Sequence, residues 1–269
     1  MERLLYDGQV KLSFDERLHR YSVSFKGLPP GPEWGDPQSA PSVTSILSAV
    51  GSEGALIQWA ANCAADWIHC HLSAGSTVTE QDVLALANGA RTAYSAARMD
   101  AADVGTQAHE WIRKFVEAGM PDVFGLPEEP RTRAACEAAK QWMYSVNYWP
   151  LMTETCLYSR KYHYAGTLDM VGMVSARGSA SIVDWKTSKR IYPKHRMQTA
   201  AYCQAYSEMS GLKIRHRWVV RIGKNGELEP LYLPPETLKH DLRAFLAAKE
   251  VYEYLKKYEY LKENDENRS

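Results

Sequence analysis

The stretch GTLDMVGMVSARGSASIVDWKTSK, residues 166–189, limits what this chain can become more than any other part of it. Apolar runs at 165–174 and 180–185 flank Ala176-Arg177-Gly178, and together they read as two strands joined by a hairpin. Folded antiparallel, the runs bring Asp169 beside Asp184, and Lys186 leaves the same strand face as Asp184 because strand side chains alternate. Two carboxylates at close range repel unless a cation neutralises them, and oxygen ligation suits a hard ion such as Mg²⁺ or Mn²⁺. A lysine beside such an ion can orient an attacking water or stabilise charge building on phosphate oxygens, which suits metal-assisted phosphodiester hydrolysis. An isolated Asp-x-Lys triplet is more often a charge pair on a solvated strand face. Here it follows an Ile-Val pair, comes 15 residues after another aspartate and precedes a polar-faced helix.

The remaining chain is read around this pair of strands. QVKLSF and RYSVSFKG, separated by DERLH, form a β-hairpin, and PPGPEWGDPQSAP, with five prolines from Pro29 to Pro41, reads as loop. Ser42 or Thr44 can cap a short helix through Leu47. Helix-compatible patterns cover 55–72, 79–97, 100–118 and 131–146. Strands follow at 152–159 and at the two runs above. Next come a helix from about His195 to Met209, strands at 214–222 and 227–233, and a last helix over 235–262. This order after residue 100 describes an α/β sandwich around a mixed sheet, behind a mainly helical N-terminal region that opens with the hairpin. The division expected is 1–98, then a core over 99–262, then a tail at 263–269.

Charge narrows the partner. The chain is balanced overall, with 32 basic and 32 acidic residues, but the segment from Asp184 to Lys224 holds ten Lys/Arg against two acids. A negatively charged partner is expected to dock on one side only. Lys189, Arg190, Lys194 and Arg196 crowd the loop after Lys186, where they can neutralise nucleic-acid phosphates without reading sequence. Arg215, Arg217 and Arg221 alternate along a later strand and share one face. Tyr162, His163, Tyr164 and Trp34 could stack on unpaired bases, although several aromatics must be core. The five cysteines are scattered without a CxxC pair, against a disulfide framework or structural zinc. His69 and His71 flank Cys70, but neighbours this close on a helix point in different directions. No phosphate-binding GxxxxGK[ST] is present, so no ATP is expected. Neither a signal peptide nor a membrane span is read, which implies a cytoplasmic protein.

GTLD at 166–169, DWKTSK at 184–189, QTAAY at 198–202 and GTQAH at 105–109 resemble the PD-(D/E)XK nucleases. The likeness is to the RecB-like and phage-exonuclease branch, which includes the mitochondrial genome maintenance exonuclease. It covers roughly 100–222. The N-terminal hairpin, SVTSIL and following Trp-containing helix are similar to the extension of phage-type members. The resemblance implies that Asp169 and Asp184 ligate one or two ions of Mg²⁺ or Mn²⁺, with the Trp185 carbonyl as a third oxygen, and that Lys186 is the catalytic lysine. His109 matches the upstream histidine that completes a metal site in this branch; on a helix it shares a face with Gly105. Glu154 matches an acidic position found in relatives, and reads equally as a solvated strand residue. Gln198 matches the glutamine that positions substrate or a metal-bound water. Tyr202, one turn on, matches a tyrosine that packs by the lysine or meets phosphate, and reads equally as core. The iron–sulfur cluster of some relatives needs clustered C-terminal cysteines, whereas Cys203 is the last here.

The reading that follows is a metal-dependent DNA exonuclease of phage or prophage recombination, repair or genome processing. A single-strand annealing or binding protein is a candidate partner, and no membrane is involved. Alternatives are a structure-specific endonuclease, or a non-catalytic DNA-binding module that keeps the fold. The intact Asp, Asp, Lys and Gln set favours an enzyme.

Overall fold

A computed structural model describes residues 1–27, 33–51, 53–72, 77–174 and 178–266. Parts of the proline loop and of the 176–178 turn therefore lie outside the described residues. The chain divides into two compact units, residues 1–50 with 109–269, and residues 51–108. These boundaries group the N-terminal 50 residues with the sheet domain, whereas the sequence division placed 1–98 together.

The larger unit holds two sheets. The first is antiparallel, in the order β1 (Glu2–Leu5), β2 (Val10–Asp15), β3 (Arg20–Phe25) and β4 (Gln38–Ala40). The second has the order β5 (Tyr148–Ser159), β6 (Tyr164–Val174), β7 (Ser179–Lys186), β8 (His216–Ile222) and β9 (Leu228–Leu233). All of its neighbours are antiparallel except β7 and β8, which run parallel. A parallel pair needs a crossover, and α5 (Pro193–Ser210) supplies it. The expected mixed sheet flanked by helices is thus the one observed. The hairpin expectation captured β2 and β3 but missed β1 and β4; β4 lies within the stretch read wholly as loop.

Alternation along β7 decides which helix meets which face. Val183 and Trp185 turn one way, and the Trp185 ring meets Trp142 of α4 (Pro130–Ser145) edge-on at 5.2 Å. Ile182 turns the other way into a cluster with Val43 and Ile46 of α1 (Val43–Ser48), Tyr202 of α5 and Phe245 of α6 (Pro235–Glu266). α1 is short and depends on its cap, in which Ser42 Oγ accepts the Ser45 N–H at 2.9 Å. α4 starts on Glu129, whose carboxylate accepts the Thr132 N–H, with Pro130 in the first turn.

The first sheet lays Val10, Leu12, Tyr21, Val23 and Ala40 against Cys156, Tyr158 and Ala165. Polar contacts fix that packing. The Tyr6 hydroxyl donates to the Tyr158 carbonyl at 2.7 Å, and the Ala165 N–H donates to the Pro41 carbonyl at 2.9 Å.

The smaller unit contains α2 (Glu53–His71) and most of α3 (Glu80–Glu117). Trp67 lies directly over Gly89, where any Cβ would collide with the indole. The two helices expected at 79–97 and 100–118 are one, because Arg98-Met99-Asp100 contains neither glycine nor proline to break the hydrogen-bond ladder.

Behind β8, Arg217 is fully buried. Its guanidinium donates to Asp241 at 2.8 Å, to Thr237 at 2.7 Å and to the Arg196 carbonyl at 3.0 Å. Asp241→Ala leaves this charge sealed and uncompensated, and should cost about 3–5 kcal/mol. A urea titration would register it as a lower midpoint with little change in slope.

Candidate active site

The ladder between β6 and β7 ends at Met170 opposite Val183. One residue further in the same register are Asp169 and Asp184, so the adjacency expected from the hairpin is present. The Trp185 N–H donates to Asp169 Oδ2 at 2.8 Å and ties the two strands where the ladder stops. In extended backbone a residue's N–H and C=O leave the same strand edge, which puts the Trp185 carbonyl on Asp169's side of β7.

The two carboxylates have different surroundings. Asp184 is 1 % exposed, and neither of its oxygens receives a well-directed hydrogen bond, although Lys186 Nζ comes within 2.6 Å of Oδ2. Burial raises the Asp184 pKa, Lys186 opposes that rise, and repulsion from Asp169 adds to it. Asp169 is held below the usual carboxylate range. Burial works against its charge, but His109, Lys186 and the Trp185 N–H together outweigh burial. Lys186 shows the converse balance: burial disfavours the ammonium, yet Asp184 and Asp169 keep its pKa above the ordinary lysine value.

His109 and Glu154 close the other side of Asp169. One donor atom from each of His109, Glu154 and Asp169 lies within 4.8 Å of the other two. His109 Nδ1 stands 3.6 Å from Asp169 Oδ2, an ionic contact longer than a hydrogen bond. Burial alone would lower the imidazole pKa, but the Asp169 charge raises it overall. The Glu154 carboxyl is lifted to about 7 by lost solvation and by Asp169, although the residue as a whole remains exposed. Its backbone sits at φ 43°, a left-handed conformation that is costly for glutamate. Strain of this kind persists where surrounding structure imposes it, often at functional sites.

These donors fit a hard divalent cation. Asp184 offers two buried oxygens without directed donors, Asp169 and Glu154 add carboxylates, the Trp185 carbonyl adds a neutral oxygen, and His109 adds a nitrogen compatible with Mn²⁺. Asp184 lies outside the His109–Glu154–Asp169 trio. It faces Lys186 and the α5 side of the sheet instead.

Gln198 and Tyr202 are buried on α5, and Gln198 Nε2 donates to the Tyr202 hydroxyl at 3.0 Å. Tyr202 reaches the site because Gly166 has no side chain; a Cβ there would fall 2.9 Å from the tyrosine ring. The phenol accepts the Gln198 N–H and the ring is buried, which fits the packing alternative expected for Tyr202. Two supporting residues were missed in the sequence. The Tyr21 hydroxyl of β3 shares a 2.8 Å hydrogen bond with Thr167, two residues before Asp169. His195, on the first turn of α5, is 4 % exposed and shares a helix face with Gln198 and Tyr202 at i, i+3 and i+7. The spacing His-x2-Gln-x3-Tyr was the available signal for it; nothing local signals Tyr21.

The basic loop is only partly free. Lys189, Arg190 and Lys194 are exposed, and Arg190 and Lys194 lie 5.1 and 5.8 Å from the centroid of the Tyr192 ring. Arg196 is engaged by Asp241 at 3.2 Å. Arg217 is wholly internal, and Arg221 pairs with Glu227 and Glu229. The shared basic face expected of Arg215, Arg217 and Arg221 is therefore absent, because acids from β9, α6 and the β8–β9 turn neutralise two of the three. Tyr164 is core, its hydroxyl donating to the Ala201 carbonyl, and His163 bonds Tyr158, so neither is free to stack on a base. Trp34 lies under the Lys11 ammonium.

Sheet order, crossover helix and the placement of Asp169, Asp184 and Lys186 give a mixed α/β core with an acidic pair and a lysine where the β6–β7 ladder stops, the arrangement expected from the resemblance to PD-(D/E)XK nucleases. No protein-family model matches the chain, and no curated protein matches it. Among solved structures, a protein from Eubacterium rectale assigned as an exonuclease is similar over 56 % of this chain and 68 % of its own, at 12 % identity and TM-score 0.36. The alkaline exonuclease LHK-Exo of Laribacter hongkongensis is similar over 58 % of this chain and 84 % of its own, at 10 % identity and TM-score 0.29. Its complex with dAMP gives 12 % identity and TM-score 0.30, over 60 % and 90 %. Likenesses this partial carry no argument about chemistry, which rests on the side chains described above.

Strain and repulsion at Glu154 can be separated from its usefulness. Glu154→Gly removes the left-handed penalty and one crowded carboxylate, and should stabilise the apo-protein by about 1 kcal/mol. The melting temperature should rise while calorimetric Mn²⁺ affinity falls.

Proposed function

We propose that the protein is a Mg²⁺- or Mn²⁺-dependent deoxyribonuclease that hydrolyses phosphodiester bonds from DNA ends, in phage or prophage recombination, repair or genome processing. One observation carries this reading. Asp184 is a buried carboxylate whose oxygens lack directed donors, held near Asp169 and beside Lys186 where the β6–β7 ladder stops. A purely structural aspartate at this depth would be expected to have its hydrogen bonds satisfied.

The residues divide the work. Asp169, Asp184, the Trp185 carbonyl, Glu154 and His109 would hold the cation. When bound, it would neutralise phosphate charge and favour the hydroxide form of a water. Lys186, kept protonated by Asp184 and Asp169, can donate to a phosphate oxygen as negative charge builds there. Gln198 gives its N–H to Tyr202, which leaves the amide carbonyl to accept from a water and orient it. Lys189, Arg190 and Lys194 supply backbone anchoring next to the site, with Arg196 and Tyr202 bracing the helix that carries them. Among the described residues no helix is long and apolar enough to cross a membrane.

Digestion of end-labelled linear, covalently closed and single-stranded DNA with Mg²⁺, Mn²⁺ or EDTA tests the reading. Linear DNA should shorten to small products, closed circles should survive, and EDTA should stop the reaction. Nicking of circles at the linear rate would instead assign an endonuclease, and metal-independent binding without hydrolysis a binding module.

Two substitutions sharpen the roles. Asp184→Asn should abolish cleavage while DNA binding persists or improves, because a negative charge near phosphate is lost; full activity would end the assignment of Asp184 as a ligand. Lys186→Ala should lower kcat by orders of magnitude with little change in KM, the pattern of a contact made chiefly at the transition state.

A further inference from the structure

His195 has no role in the scheme above, yet it sits in the first turn of α5 within electrostatic reach of Lys186, the last residue of β7. Its Nδ1 accepts the Tyr192 N–H at 3.2 Å, which fixes the ring at the helix start and leaves the proton on Nε2. Nε2 has no hydrogen-bond partner among the described residues, although the side chain is more than nine-tenths buried. The ring shares its helix face with Gln198 and Tyr202, and Lys194 precedes it directly.

We propose that His195 is a substrate-contacting residue, whose uncharged Nε2–H donates to a non-bridging phosphate oxygen of the DNA strand between Lys186 and the exposed loop cations. The proposal rests on the nuclease reading. Helix geometry directs it: His195 lies three places before Gln198 and seven before Tyr202, so the three side chains leave the same helix face, and Tyr202 is already fixed against Gly166. The surroundings also keep the ring neutral, since burial and the ammonium groups of Lys186 and Lys194 push its pKa down to about 3. A neutral donor serves a purpose that another cation could not. It can hold a phosphate oxygen beside Lys186 without adding a third positive charge to the same small volume, and it donates in the same state across the physiological pH range.

The consequence is a contact that strengthens binding without releasing a counterion. Binding of a fluorescent single-stranded oligonucleotide should be measured as a function of salt in EDTA, on the Asp184→Asn protein. Adding His195→Asn keeps an acceptor for the Tyr192 N–H but deletes the Nε2 donor, and should weaken binding about tenfold, as expected for one hydrogen bond to a charged group. The slope of log affinity against log salt should not change. Adding Lys194→Ala instead should reduce that slope by about 0.7, the signature of one lost phosphate–cation contact on a single strand. Unchanged affinity in His195→Asn overturns the proposal, and a reduced slope overturns the neutral-donor assignment. Absence of any binding by Asp184→Asn at low salt removes the nuclease reading itself, and the proposal with it. Should His195→Asn unfold, the wild-type protein decides the matter: the His195 Nε2 nitrogen resonance should shift on addition of 5′-phosphorylated thymidine dinucleotide in EDTA. A resonance that stays fixed while backbone amides of the loop move overturns the contact.

Discussion

Everything at the site depends on one register, the antiparallel pairing that sets Met170 opposite Val183 and hence Asp169 opposite Asp184. Like charges placed this way oppose folding, and the chain offsets the repulsion locally. The Trp185 N–H and His109 hold Asp169 in its charged form, and Lys186 leans on Asp184. Of the two carboxylates, Asp184 is the one whose oxygens are left without a directed donor. A slip of one residue would send Asp184 to the Trp142 side and Trp185 toward Tyr202, so the hydrophobic faces of β7 enforce the chemistry as firmly as they enforce the fold.

The second constraint is close approach on the α5 side. Gly166 admits the Tyr202 ring, Tyr202 holds Gln198, and the same helix face carries His195. Polar side chains at this interface are buried but few. Each is bonded to a neighbour whose own position is fixed by packing, which holds an active site in place more reliably than loop residues can.

Much of this was legible in the sequence, and the failures share a cause. Strand periodicity and the acid–acid–lysine spacing located β6, β7 and the Asp169, Asp184 and Lys186 constellation, because those signals are local. The crossover helix and the hairpin β2–β3 were legible for the same reason. β1 and β4 were not, since four- and three-residue strands are defined by their partners rather than by their own composition. The unbroken α3 was divided at Asp100, a residue that can cap a helix but does so only where the ladder already ends. Charge was the most misleading guide: Arg196, Arg217 and Arg221 look like a nucleic-acid face until Asp241, Glu227 and Glu229, distant or across a turn, are seen to engage them. Spacing cannot report a pairing made between α6 and β8.

The docking of β1–β4 onto β5 and β6 also has a temporal side. The inner face of the first sheet, with Val10, Leu12 and Val23, finds its cover only in Cys156, Tyr158 and Ala165. During synthesis at about 5–20 residues per second, the finished N-terminal sheet would wait on the order of ten seconds for that cover to emerge. Such long-range closure is slow for reasons of chain entropy. A nascent chain stalled before residue 150 would therefore present a ready-made apolar β surface to its neighbours, and recombinant yield would be governed by events on the ribosome more than by the stability of the finished protein.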